Sequence, residues 1–269
     1  MIKFYDKYKK FFIALVIIGI TFSIYNYDKI AAKVIKKLPI SIENYLAEQY
    51  MPDKFWLHRT DSVEKQYEFT SKYKGIEFDI IYYKDENAFE NSHDKKDLNK
   101  YNLEKQLQAY QDIGLPKGIW LDFKNLTESN KFAAKDTLDK LMSKYKIDKN
   151  LLWIESGNWQ ALKIFHDDGY RTSYYLPYYK LDKMTYKEIE NAKKLTKEIA
   201  LSGNVDAVSF YGGYYDFIKS VELPPRIELL TWLDGYTWYE VLLRKKCEEI
   251  KNDERIQVIL VKDIGHYHR

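Results

Sequence analysis

From residue 53 to the C-terminus, short apolar runs alternate with stretches of helical periodicity. The runs are FWLHR (55–59), GIEFDIIYY (75–83), GIWLDFKN (118–125), LLWIES (151–156), RTSYYLP (171–177), DAVSFYGG (206–213), RIELLTWLDG (226–235) and RIQVILVKD (255–263). Runs of this length, rich in β-branched and aromatic residues, read as strands. Between them, 63–73, 102–114, 129–145, 158–169, 185–203 and 238–253 carry helical spacing, with a short segment near 214–221 and a polar loop over 84–101. Strand–helix alternation predicts parallel pairing through right-handed crossovers. Eight such units in roughly 200 residues predict an α/β fold, the (β/α)8 TIM barrel. An open doubly wound sheet is the alternative. No Gly-rich turn follows the first strand, so the dinucleotide fingerprint is absent.

The first 52 residues follow a different pattern. Residues 1–10 are basic and 11–25, FFIALVIIGITFSIY, carry no charge. A basic flank before an apolar run, with no small-x-small cleavage site after it, predicts an uncleaved transmembrane anchor over 1–27. The run is short against the roughly 20 residues that span a bilayer, and Tyr25 and Tyr27 extend it to an interface. Lysines flank it on both sides, so charge does not orient it. A large domain behind an N-terminal anchor is expected to be exported, periplasmic or extracellular, on a single-pass chain. Residues 28–51 read as an amphipathic juxtamembrane helix, with Ile30, Val34, Ile35 and Leu38 near helical spacing and Pro39 and Pro52 as punctuation. It suits a stalk, a helix on the membrane surface, or a helix capping the barrel, which occupies 52–269.

Composition narrows the function classes. With 43 basic and 40 acidic residues among 269, net charge +3, the chain lacks the basic excess of a dedicated nucleic-acid binder, and no nucleic-acid partner is expected. One cysteine, Cys247, excludes an internal disulfide and a Cys-based zinc site. It falls in the last long helix and is expected to pack in the core.

The informative residues are the charged ones inside apolar strands. His58 and Arg59 end the first run. Glu77 and Asp79 lie two apart in the second, hence on one face. Asp122 and Lys124 repeat that spacing in the third, and His93 and Asp94 follow in the loop after the second. All lie at or beyond the C-terminal strand ends, where barrel active sites are built. Three bare carboxylates buried together would repel at a cost of many kcal/mol. Lys124 and Arg59 compensate in part. A hard divalent cation on oxygen ligands, Mg²⁺ or Ca²⁺, supplies the rest most naturally. Two histidines beside a cation site make acid–base chemistry on an anionic group the expected use.

In this order the motifs resemble the PLC-like phosphodiesterase superfamily. His58-Arg59, Glu77-x-Asp79 and His93-Asp94 resemble the glycerophosphodiester phosphodiesterases, and Asp122-x-Lys124 is similar to the sphingomyelinase D branch. KGIWLDFKN is similar to the menorin-type branch as well. The resemblance implies a metal site at Glu77, Asp79 and Asp122, His58 and His93 as the acid/base or nucleophilic pair, and Arg59 and Lys124 on the phosphate. It implies a glycerophosphodiester, a lysophospholipid or a related envelope phosphodiester as substrate, cleaved by hydrolysis or through a cyclic phosphate. Two departures bear on substrate identity: Thr60 stands where the family has glycine, and 79–93 lacks the usual Gly and Pro.

Later strands add candidates. Glu155 ends the fourth run as a possible further metal ligand. Tyr175 and Ser209 end the fifth and sixth. Trp232 and Asp234 share a face at the end of the seventh, where Trp232 suits either a substrate head group or the barrel core. His166 reads as a surface helix residue, and His266 and His268 as a terminal tail. Two other functional classes compete. A non-catalytic barrel would retain the phosphate pocket as a membrane-tethered binding or scaffold module. A glycosidase using Glu77 with Glu155 would leave both histidines and Lys124 unexplained.

Overall fold

The computed structural model describes residues 13, 15–24, 26–93, 103–114 and 117–263. Among the described residues nine strands form one sheet: β1 (Phe55–Leu57), β2 (Gly75–Tyr83), β3 (Ala88–Asn91), β4 (Gly118–Phe123), β5 (Leu152–Ser156), β6 (Arg171–Tyr175), β7 (Ala207–Tyr211), β8 (Glu228–Trp232) and β9 (Ile256–Val261). Their order is β1-β9-β8-β7-β6-β5-β4-β2-β3, and β1 also pairs with β2. That last pairing closes eight parallel strands into a barrel, as the alternation predicts. Helices over Val63–Phe69, Leu103–Ile113, Lys131–Tyr145, Trp159–His166, Tyr186–Leu201, Tyr215–Lys219, Trp238–Leu243 and Lys245–Asn252 complete the crossovers.

The polar loop expected over 84–101 begins differently. Its residues Ala88–Asn91 form β3, which folds back antiparallel on β2 with Ile80 opposite Asn91 and Tyr83 opposite Ala88. Phe89 is thereby buried against Tyr82 and Phe123. The helix expected over 238–253 is broken at Arg244, whose backbone is extended (φ −85°, ψ 117°).

Two apolar layers hold the barrel. The larger lies between strands and helices. The smaller fills the barrel with Trp120, Trp153, Ala207, Leu230, Val258 and Leu260, and Trp56 and Trp232 pack against it. Trp56 plugs the N-terminal end of the barrel. A Cβ added at Gly75 or Gly118 would meet its indole at 2.2 or 2.1 Å, so only glycine admits the ring there.

Residues 28–51 fall into two helices, Tyr27–Ile35 and Ile40–Tyr50, separated at Pro39. The first packs on the Trp238–Leu243 helix. The second buries Ala47 and pairs Glu43 with Lys72 at 3.1 Å. Among the described residues no helix is long and apolar enough to cross a membrane, so the transmembrane anchor expected over 1–27 is not supported. Residues 1–12, 14 and 25 of that segment lie outside the described ones.

Candidate active site

Parallel register decides which side chains meet. Asp79 is paired with Asp122 across β2 and β4, and Asp122 with Glu155 across β4 and β5. All three point into the barrel near its C-terminal mouth, because side chains alternate along each strand. Glu77 lies one pleat deeper, beside Trp120. Glu77 and Asp79 are 2% and 4% exposed. Glu77, Asp79 and Asp122 each offer an oxygen within 4.8 Å of the others.

Electrostatics follow from this crowding. Burial, reinforced by Asp79 and Asp122, holds the Glu77 carboxyl well above its usual range, against Lys124 and the Arg59 N–H. Asp122 is also raised, by burial and by Asp79, with Lys124 opposing. The Lys124 ammonium bridges Asp79 at 2.7 Å and Asp122. Burial pushes that ammonium down, but the two carboxylates outweigh it and its pKa is raised. One ammonium against three carboxylates leaves an excess of negative charge on hard oxygen ligands. A divalent cation fits such a donor set.

Glu155 forms part of the floor. Burial and Asp122 hold its carboxyl well above the usual range, opposed by the Lys124 ammonium. Its Oε2 has no hydrogen-bond partner among the described residues. Ser209 lies behind it, buried, with Oγ donating to Tyr174 O at 3.2 Å.

His58 and Arg59 come from the loop closing β1. His58 is 8% exposed. Burial and the cations of Arg59, Lys262, Lys65 and Lys124 hold its imidazole well below the ordinary histidine range, so it is neutral at pH 7. Arg59 adopts a left-handed backbone (φ 53°). Its N–H donates to Glu77 Oε2 at 2.5 Å, and its guanidinium reaches His93 Nε2 at 2.8 Å. His93 is exposed at the rim, two residues beyond β3, and Asp94 lies outside the described residues.

These groups line one cleft of about 190 Å³. His58, Arg59, Glu77, Asp79, His93, Asp122, Lys124, Glu155 and Trp232, all expected from the sequence, border it together. Trp232 is half-buried, stacked on Tyr175 with centroids 5.5 Å apart and planes 11° from parallel. It serves as barrel packing and cleft wall at once. Asp234 and Tyr175 also reach the cleft. Tyr178 and Trp120 line it without having been singled out in the sequence. Tyr178 follows β6 in a loop with no charged signal, and Trp120 reads as core. His166 lies apart on an outer helix, 3.3 Å from Asp206. Cys247 is buried, as expected of a packing residue. His266 and His268 lie outside the described residues.

No family model matches the chain, and no curated protein matches it in sequence. Solved structures do match. A protein assigned as a glycerophosphodiester phosphodiesterase, from Galdieria sulphuraria, superposes with a TM-score of 0.53 at 14% identity, over 79% of this chain and 94% of its own. A glycerophosphodiester phosphodiesterase from Parabacteroides distasonis gives 0.52 at 14% identity, over 77% and 92%. The chain has the fold of the glycerophosphodiester phosphodiesterases. At this identity the likeness concerns the fold; chemistry has to be argued from the cleft.

Proposed function

We propose that the protein is a divalent-metal-dependent phosphodiesterase acting on a glycerophosphodiester or a related lipid-derived phosphodiester. The observation that carries this reading is the convergence of His58, Arg59, His93 and Lys124 with a carboxylate trio in one cleft of a glycerophosphodiesterase fold. A phosphodiester needs charge balanced on its phosphoryl oxygens, a base for the attacking hydroxyl and an acid for the leaving alkoxide. Arg59 and Lys124 hold the phosphate oxygens. Neutral, buried His58 takes the proton from the attacking hydroxyl, which comes from water or from a neighbouring hydroxyl of the substrate. His93, at the rim, gives a proton to the leaving oxygen. A new P–O bond forms as the P–O bond to the leaving group breaks. A cation, Mg²⁺ or Ca²⁺, held by Glu77, Asp79 and Asp122, would supply Lewis-acid stabilisation of the developing charge. Glu155 stands behind Asp122 as a further oxygen donor. Trp232 and Tyr175 wall the alcohol side of the cleft.

A membrane-associated substrate suits the N-terminal segment. Ile18, Phe22 and Ile24 are 63%, 65% and 72% exposed, and Lys29, Lys33 and Lys36 follow. Apolar side chains beside a basic stretch favour an anionic lipid surface.

The test is turnover of a panel of glycerophosphodiesters and lysophospholipids, before chelation, after it, and after Mg²⁺ or Ca²⁺ is restored. Turnover lost on chelation and recovered with metal is expected. A metal-loaded, folded protein that turns over none of the panel would contradict the catalytic reading and favour a binding module.

A further inference from the structure

The backbone carrying His58 and Arg59 is gripped from below. Three successive carbonyls accept hydrogen bonds from buried side chains. Lys65 Nζ donates to His58 O at 3.0 Å and also to Arg59 O. Asn91 Nδ2 donates to Thr60 O at 3.0 Å. The N–H groups of Arg59 and Thr60 go to Glu77, one to Oε2 at 2.5 Å and one to its carbonyl at 2.9 Å.

Lys65 is unusual in this set. It lies in the first turn of the Val63–Phe69 helix, where Ser62 Oγ caps its own N–H at 3.1 Å, yet it is 1% exposed. Asp61, the carboxylate of its salt bridge, stands at 4.0 Å. Burial pushes the ammonium down to about 8, against Asp61, Glu77 and Asp263. A buried ammonium has a high desolvation cost, which a neutral donor would avoid. What an ammonium adds is three donors on one atom. Here the ammonium meets the carbonyls on either side of left-handed Arg59, the first of them belonging to the peptide that joins His58 to Arg59.

We propose that Lys65 is a positioning residue that locks this peptide, so that the His58 imidazole faces the cleft while the Arg59 guanidinium reaches His93. It acts on the cleft through the backbone of His58 and Arg59. The proposal rests on the phosphodiesterase reading of the cleft.

Lys65→Met and Lys65→Arg in the full chain test it. Lys65→Met keeps the stem and removes the donors. It is expected to lose about 100-fold in kcat, as a misplaced catalytic group does, with KM within about threefold. Lys65→Arg, which restores donors, is expected to recover at least about tenfold of that loss. ¹⁵N-histidine NMR gives a readout independent of turnover: the His58 ring signals should move in Lys65→Met and return towards wild type in Lys65→Arg. If the wild type hydrolyses no diester, the phosphodiesterase reading fails, and the His58 signals alone decide the role of Lys65. If Lys65→Met does not fold, Lys65→Gln takes its place and should show the same shift in lesser degree. A folded Lys65→Met with unmoved His58 signals and kcat within about threefold of wild type would overturn the proposal.

Discussion

Asp79 and Asp122 stand side by side across the β2–β4 ladder, and the Lys124 ammonium bridges them, 2.7 Å from Asp79. Neighbouring carboxylates facing the inside of a barrel are a poor choice for stability, because burial and the Asp79 charge raise the cost of ionising Asp122. With Glu77 below them, one lysine does not balance the set. The donor set fits a divalent cation.

Added Mg²⁺ or Ca²⁺ should therefore raise the melting temperature. At one hundred times the dissociation constant the gain is about 2.7 kcal/mol. Glu77→Gln and Asp122→Asn should abolish the metal-induced shift without unfolding the apo protein, measured by calorimetry with and without metal. An equal shift in the wild type and both variants would place the cation elsewhere.

His93→Ala and Arg59→Met should act differently. Loss of an acid–base group costs roughly 10²–10⁴-fold in kcat. Arg59→Met should also raise KM, because the guanidinium binds phosphate in the ground state and orients His93 at 2.8 Å. Steady-state kinetics on one glycerophosphodiester distinguishes them. Wild-type kcat in His93→Ala would remove it from the mechanism.

The buried acids and His58 have opposite effects on stability as pH changes. Glu155 is held well above the usual carboxylate range by burial and Asp122. Its folded form keeps a proton that the unfolded chain gives up above about pH 4.5. Stability from this group is present below that pH and lost as pH rises through the folded value. Each tenfold change in proton affinity is worth about 1.4 kcal/mol. Glu155→Gln, which cannot ionise, should melt higher than wild type at pH 8 and the same or lower at pH 4.5. His58, held below its ordinary range, works the other way: its contribution is present above about pH 6.5 and falls as pH drops below that value. Melting temperature against pH for both proteins checks this; parallel curves would contradict it.

Gly118→Ala should destabilise by about 1–3 kcal/mol through overpacking, because the new Cβ would fall 2.1 Å from the Trp56 indole. Trp56→Leu in the same chain should recover part of the loss. Denaturant midpoints of the single and double variants measure it, and additive losses would rule out the contact.

Much of this was legible in the sequence, for a physical reason. Strands of a parallel barrel are buried on both faces, so each reads as an apolar run, and a charge inside one stands out. Glu77, Asp79 and Asp122 were visible on that account; the two-residue spacing put Glu77 and Asp79 on one face of their strand, and the β2–β4 register brings Asp122 beside them. The same double burial hides which face is the interior, so Trp56, Trp120 and Trp153 read as undifferentiated core. β3 was missed because AFEN is four residues long, half-buried and embedded in a charged loop. Lys65 and Asn91 were missed because their role depends on carbonyls brought close only by folding. On a helix of alternating charge, Lys65 looks like any solvated lysine. The N-terminal run gave an apolar signal, and among the described residues no helix is long and apolar enough to cross a membrane.

The proposed phosphodiester chemistry turns on His58, neutral and buried in the cleft. ³¹P NMR of a glycerophosphodiester incubated with the metal-loaded full chain and with its His58→Ala variant tests it most directly. The diester resonance is expected to give way to a phosphomonoester or a cyclic phosphate with the wild type and to persist with the variant. A diester untouched by the wild type, or consumed equally fast by His58→Ala, would contradict it.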